Sequence, residues 1–372
     1  MTDATLDRAS SIRESWQIEL QPYACAFCES VFLLPPEASR LTCPTCFRDE
    51  LDPISDAEQY PSYVMPPEKV LPFAISPERA VSLAEDNLKR IPLRPTDITP
   101  ANLKDRLRPI LLPMWLIDAE VQAQWLAEAG YYYEVVSHNE RYGGSGWQTE
   151  QVKRVRTRWE PRAGELRRSY HNVTAAALEQ FEVLTGRVGN FAIESGQQDY
   201  QPSQIQDVFV RVPSRPPEAA WDGAHTGFIR AAADEVRRAA SADEIQQFKW
   251  RPDFATQNWT QLLIPLYSTY YLDDQGEKQV VYINGLTGQV WAMRQASPRR
   301  AQTFLFIGLA LASLLVLGSV LGLLIALALP ILGLLALLGV LLAVGVAIGG
   351  VVPVIQANSF NRRNRFDPKR LV

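Results

Sequence analysis

From Ala301 to Asn361 the chain carries no Asp, Glu, Lys, Arg or His, and from Phe304 to Ile355 it is almost wholly apolar. Continuous helix from Phe304 to Ile355 would reach about 78 Å at ~1.5 Å per residue. A bilayer core is about 30 Å thick and one pass takes about 20 residues. One helix is therefore too long, whereas two passes joined by a tight turn fit. Pro330 followed by Gly333 marks the turn, which predicts spans over 304–327 and 333–356. A helical hairpin buried in a soluble core is the alternative, but soluble helices usually keep a polar face.

Arg294, Arg299 and Arg300 precede the first span, and Arg362, Arg363, Arg365, Lys369 and Arg370 follow the second. The turn between them is uncharged. The positive-inside bias then places both termini in the cytoplasm, as a two-pass protein of the plasma (inner) membrane with a basic tail over 357–372. The start of the chain, Met1-Thr-Asp-Ala-Thr-Leu-Asp-Arg8, has no apolar signal region. The soluble mass is expected in a reducing compartment, where cysteines are thiols or metal ligands before they are disulfides.

All four cysteines fall in Cys25-Ala-Phe-Cys28 and Cys43-Pro-Thr-Cys46, a C-x2-C-x14-C-x2-C pattern. This spacing suits a closed tetrahedral site of four thiolates, and it predicts a structural zinc ribbon over 21–50. Unligated thiols and a redox C-x-x-C are the other readings. About thirty residues cannot build a core, so the metal would supply folding free energy on the order of 10 kcal/mol. The module resembles the transcription-factor-IIB-type zinc ribbon, whose members usually place Gly after the second cysteine of a knuckle; here Glu29 and Phe47 stand there. Within 21–50, Arg40 and Arg48 face Glu29, Glu37, Asp49 and Glu50. That acidic balance, with a whole-chain charge of −4, argues against nucleic acid and for a structural or protein-contacting ribbon.

The remaining pattern is mixed. Residues 1–20 read as a polar arm, helical around Ala9–Ile18, and 51–71 as a Pro-rich linker. Ser76-Pro77 starts a helix running to about Arg90 and burying Ala80, Leu83 and Leu88. Strands are predicted over Ile110–Asp118, Val121–Leu126, Tyr131–Ser137, Gln151–Trp159 and Leu166–Val173, separated by Gly130, Gly143-Gly-Ser-Gly146 and Pro161–Gly164. These make a first α+β domain over 72–190. After an irregular linker, 191–216, a helix over Ala219–Ala240 leads to strands Gln261–Leu272, Lys278–Ile283 and Gln289–Met293, a second α+β domain over 217–298. Leu111-Leu-Pro-Met-Trp-Leu and Leu262-Leu-Ile-Pro-Leu-Tyr each follow a helix, which suggests a degenerate duplication.

Phe73-Ala-Ile-Ser76, Leu112-Pro-Met-Trp-Leu-Ile-Asp118 and Tyr282-Ile-Asn-Gly-Leu-Thr-Gly288, in that order between the ribbon and the apolar run, resemble a family of bacterial membrane proteins of poorly defined role. The resemblance implies an architecture and no reaction, because its motifs are turn and core residues. The Asn-Gly-x-Thr-Gly turn also resembles the closing hairpin of PepSY-type modules.

No nucleophile elbow, Walker lysine loop or dinucleotide fingerprint occurs, and His138, His171 and His225 lie far apart in the sequence. No enzyme is expected. Lys153, Arg154, Arg156, Arg158, Arg162, Arg167 and Arg168 form a basic stretch against Glu160 and Glu165. Alternation puts Arg154, Arg156 and Arg158 on one strand face, with Trp159 beside them, either as a solvated surface or as a patch for an anionic partner or headgroups. The chain thus reads as a multidomain protein: zinc ribbon, two α+β domains and a transmembrane helical hairpin. Its expected function is that of a non-catalytic membrane anchor presenting a cytoplasmic protein-interaction module. An oligomeric assembly or pore, built on Gly318-x3-Gly322 and Gly345-x3-Gly349, is one alternative. Nucleic-acid binding through the ribbon or the basic hairpin is the other.

Overall fold

A computed structural model describes residues 14–38, 41–54, 64–144, 146–193, 195–326 and 331–364. Its strands are β1 (Gln21–Cys25), β2 (Val31–Leu34), β3 (Leu51–Pro53), β4 (Lys69–Val70), β5 (Arg108–Gly143), β6 (Gly146–Ala176), β7 (Gln198–Asp199), β8 (Phe209–Arg211), β9 (Glu244–Leu272), β10 (Lys278–Asn284) and β11 (Val290–Ala292). Its helices are α1 (Pro77–Leu88), α2 (Pro100–Asp105), α3 (Phe181–Val188), α4 (Pro217–Ala239), α5 (Pro298–Ala326) and α6 (Ile331–Arg363). The strands form a mixed sheet in the order β11-β10-β9-β5-β8-β2-β1-β3, with β6 on β5.

Two units divide the chain. One draws on Met1–Pro113, Gln180–Val212 and Leu263–Val372, the other on Met114–Glu179 and Pro213–Leu262. They are interleaved, and so differ from the consecutive 72–190 and 217–298 expected from sequence. Strand length is the reason: β5 has 36 residues and β9 has 29, and each begins in one unit and ends in the other.

In the first unit, Ser76 Oγ accepts the Arg79 N–H at 3.3 Å and Pro77 opens α1, as expected. Ala80, Val81, Ala84 and Leu88 are buried, while Leu83 is half-buried and packs toward Gly288. Opposite them lie Tyr267, Tyr271, Val281 and Ile283 of β9 and β10. The tight turn after β10 depends on Asn284, which is fully buried. Its Oδ1 accepts the N–H groups of Leu286 and Thr287 at 2.9 and 3.1 Å, and its Nδ2 donates to the Val188 and Asn190 carbonyls at 3.2 and 3.4 Å. Gly285 follows because a Cβ there would lie 2.8 Å from the Pro265 carbonyl oxygen and 3.0 Å from Phe73. The Gly285 carbonyl in turn accepts the N–H groups of Ala74 and Ile75, both at 3.0 Å. Two motifs 210 residues apart in sequence thus close on one another through backbone.

Three expected segment limits move. Trp16 and Leu20 are buried, and Tyr200 Oη donates to the Trp16 carbonyl at 2.9 Å, so the end of the 1–20 arm belongs to the core. The first half of the expected helix Ala9–Ile18 lies outside the described residues. The 51–71 linker begins with β3, which pairs with β1, and ends with β4. Within 191–216, β8 pairs parallel with β5 and antiparallel with β2, tying the cysteine module to the central sheet.

In the second unit, the five strands expected between Ile110 and Val173 are one long hairpin, β5 with β6. Gly130 and Gly164 do not break it because an aromatic ring covers each from the facing strand. A Cβ on Gly130 would lie 2.7 Å from Trp159, and one on Gly164 3.0 Å from Trp125. Asp118 marks the single register shift: its carboxylate accepts the Asn172 N–H at 2.8 Å and lies 3.2 Å from His171 Nδ1, with Asn172 at φ 56°. Trp115 is fully buried and donates to the Arg215 carbonyl at 2.9 Å. The part of β9 before Gln261 has no counterpart in the sequence reading, because its polar residues and Pro252 mask the alternation.

Helices α5 and α6 are long and apolar enough to cross a membrane, with mean hydropathy of 2.6 and 2.7 over their apolar cores. They approach closely at Gly308 and Gly350, where a Cβ on Gly308 would lie 3.0 Å from the Gly350 Cα, and at Gly339, where a Cβ would collide with Ser319 Oγ. Gly318, Gly345 and Gly349, expected to serve close packing, face open space instead. Outside the apolar region, Ala296 N–H donates to Asn361 Oδ1 at 2.7 Å and Asn361 Nδ2 donates to the Ala296 carbonyl at 3.1 Å. This amide clamp holds the start of α5 beside the end of α6. The turn near Pro330 lies outside the described residues.

Candidate metal centre

Two short turns of the same construction bring the cysteines together. In the first, Glu29 N–H donates to the Cys25 carbonyl at 2.9 Å; in the second, Phe47 N–H donates to the Cys43 carbonyl at 2.9 Å. Glu29 and Phe47 adopt φ 56° and 54°, the left-handed conformation that favours Gly. All four sulfurs lie within 4.8 Å of one another and all four residues are buried. Cys25 to Cys46 and Cys28 to Cys43 are each 3.6 Å between sulfurs. A zinc ion with ~2.3 Å bonds needs tetrahedron edges of about 3.8 Å. Distances, burial and soft thiolate chemistry are therefore compatible with zinc. Hydrogen bonds from Cys43 and Cys46 lower the Cys28 thiol pKa, and the contact with Cys28 raises that of Cys46. Cys28 Sγ also lies 3.2 Å from Ser30 Oγ, and the Arg48 N–H points at Cys46 Sγ at 3.4 Å.

Around this cluster stand residues that the sequence reading missed. Arg211 is half-buried; desolvation lowers its pKa, while Cys28, Tyr282, Cys43 and Cys25 oppose that loss. Its Nη1 donates to Thr45 Oγ1 at 3.0 Å. Tyr282 Oη donates to the Thr45 carbonyl at 2.6 Å, and Lys278 Nζ donates to the Phe47 carbonyl at 2.5 Å. Phe47 packs on Tyr270 with ring centroids 4.8 Å apart. The second knuckle is thus docked on β9 and β10 of its own unit, and the half-buried Arg211 guanidinium faces what would be a dianionic four-thiolate site. More than 160 residues separate Arg211 from Thr45, so no local pattern could reveal the pairing.

The expected basic patch is exposed but is not one face. Arg154, Arg156, Arg158, Arg162 and Arg168 occupy even positions of β6, and Lys153 and Arg167 point to the other side. Trp159 also alternates away from Arg158, toward Gly130. Lys153 pairs with Glu134 at 3.4 Å, Arg158 and Arg162 with Glu160 at 2.9 and 2.7 Å, and Arg168 with Glu235. Among the described residues, Arg154, Arg156 and Arg167 have no carboxylate within ion-pair distance. His171 serves the bulge at Asp118, His138 lies 3.4 Å from Gln151, and His225 sits among Trp221, Trp250 and Phe254.

Fold and site define a mixed-sheet protein with a buried four-cysteine cluster and two C-terminal helices able to span a bilayer. Compared with protein-family models, curated proteins and solved structures, the chain finds no match.

Proposed function

We propose that the chain is a non-catalytic, membrane-anchored protein of the cytoplasmic face. In this reading zinc in the ribbon stiffens the body, and the β5–β6 hairpin is the arm that docks a protein partner. One observation carries it: the outer hairpin displays large apolar side chains that nothing covers. Tyr133, Val136, Tyr142, Trp147 and Val155 are 47% to 71% exposed. A bare two-stranded ribbon is marginal in water, and uncovered apolar surface of this extent marks an interaction site. Val136, Tyr142, Trp147 and Val155 share one face. On the opposite face, with Tyr133, stand Arg154 and Arg156, cations without a carboxylate partner among the described residues, which favours an acidic partner that grips the arm from both sides.

A photo-crosslinking residue at position 147, irradiated in native membranes, should give one dominant adduct. That adduct should fade when Arg154 and Arg156 are both changed to Glu. An unchanged pattern, or adducts to many proteins at low yield, would rule out the hairpin as a docking arm.

A further inference from the structure

A polar cavity of about 630 Å³ lies in the first unit, where the second cysteine knuckle, the β9–β10 turn and the last turns of α6 meet. Four cations line it: Arg48, Lys278, Arg294 and Arg362. The groups that Arg48, Lys278 and Arg294 contact are neutral. Arg48 lies over the Phe27 ring at 4.8 Å, Lys278 donates to the Phe47 carbonyl, and Arg294 donates to Asn87 Oδ1 at 2.9 Å. Among the described residues none of the four has a carboxylate within ion-pair distance, although Asp273 and Glu277 also line the cavity. The Asp273 carboxylate is committed to its own turn, accepting the Gln275 and Glu277 N–H groups at 2.9 Å each and Gln279 Nε2 at 2.8 Å. Four like charges around one concavity repel each other, and an anion bound among them would remove that cost.

Height above the apolar segment narrows the ligand. Asn358 and Arg362 follow the apolar stretch that ends near Gln356, which puts them about 3–9 Å beyond it at ~1.5 Å per residue. The polar layer of one leaflet is about 5–8 Å deep, half the difference between the whole bilayer and its core. We propose that this cavity binds a phosphoryl anion at headgroup height, with the guanidinium groups of Arg48, Arg294 and Arg362 as its recognition elements and Asn358 as a neutral donor. Guanidinium pairs phosphate oxygens two at a time, and neutral amides fill the remaining acceptor sites. The proposal rests on the membrane reading of α5 and α6.

The full chain should be reconstituted in nanodiscs of phosphatidylcholine with one-tenth phosphatidylglycerol, and the retained lipid counted by native mass spectrometry. Wild type should keep the anionic lipid at least tenfold above Arg362→Gln and Arg48→Gln, each with an unchanged melting temperature, while Arg362→Lys keeps part of it. Arg299→Gln, a cation near the membrane but outside the cavity, should behave as wild type. Equal retention in all variants, or equal loss in Arg299→Gln, overturns the site. A parallel titration with inorganic pyrophosphate separates the sources: binding there that depends on Arg362, without lipid retention, supports a phosphoryl site for a soluble anion and removes the lipid. Release of the chain from membranes by alkaline carbonate would instead sink the underlying membrane reading and the lipid source with it.

Discussion

Glu29 and Phe47 share a strained backbone conformation but differ in what their side chains do. Glu29 is exposed, so Glu29→Gly should relieve up to about 1 kcal/mol of left-handed strain and raise the urea midpoint of the zinc-loaded protein. Phe47 is buried against Tyr270, so Phe47→Gly should lose about 3–5 kcal/mol of packing despite the same relief. Opposite signs at equivalent positions are the test; a loss at both would show that the strain is not what limits the first knuckle. Asn284 is a second residue-scale case. One buried amide satisfies two turn N–H groups and two carbonyls, and Asn284→Ala should cost about 2–3 kcal/mol by chemical denaturation. A change under about 0.5 kcal/mol would mean that the turn is held by its glycines alone.

Among the elements, the connection between α2 and β9 is electrostatic. Asp97 accepts Arg106 through both oxygens, at 2.5 and 3.0 Å, and takes the Leu272 N–H at 2.7 Å. Burial alone would raise its pKa, but Arg106, the Leu272 N–H and Asn102 outweigh burial and hold the carboxyl below its ordinary value. A depressed folded pKa stabilises the protein above the unfolded value, about 3.9, and that contribution is lost as pH falls through the folded value. Stability measured from pH 6 downward should therefore drop more steeply below about pH 4 in wild type than in Asp97→Asn; parallel curves would remove Asp97 from the acid response. The cysteine module is coupled to its sheet in the same concrete way. Chelating zinc, or changing Cys25 and Cys28 to Ser, should raise amide exchange in β1, β2 and β3 and also in β8, because β8 pairs with β2. Exchange confined to the knuckles would mean that β8 and its sheet hold without the metal.

For the whole molecule, the Ala296–Asn361 clamp and the pairing of α5 with α6 return the chain to the side from which it entered. Reporters fused at the two ends should therefore report the same compartment, and the basic flanks predict that this compartment is the cytoplasm. Reporters on opposite sides would exclude the two-pass reading. Gly318, Gly345 and Gly349, which suggested close helix contact in the sequence, face open space here, while Gly308 and Gly350 make such a contact. A pattern of small residues identifies which faces can approach, but only the crossing angle and offset of two helices select the pair that does.

What this chain wrote into its sequence is local: two paired-cysteine knuckles, a capped helix at Ser76, a glycine turn at Asn284 and an apolar run too long for one pass. Each needs only neighbouring residues and a rule of geometry, so each could be read from spacing. The cation beside the cysteines, the three-residue strand that joins them to the sheet, and the interleaving of the two units could not. Arg211 lies far along the chain from Thr45, β8 is too short to show a period, and β5 and β9 cross between units because their hydrogen bonds continue past the glycines and prolines that mimic turns. Those outcomes depend on which distant surfaces meet, and only packing of the whole chain decides that.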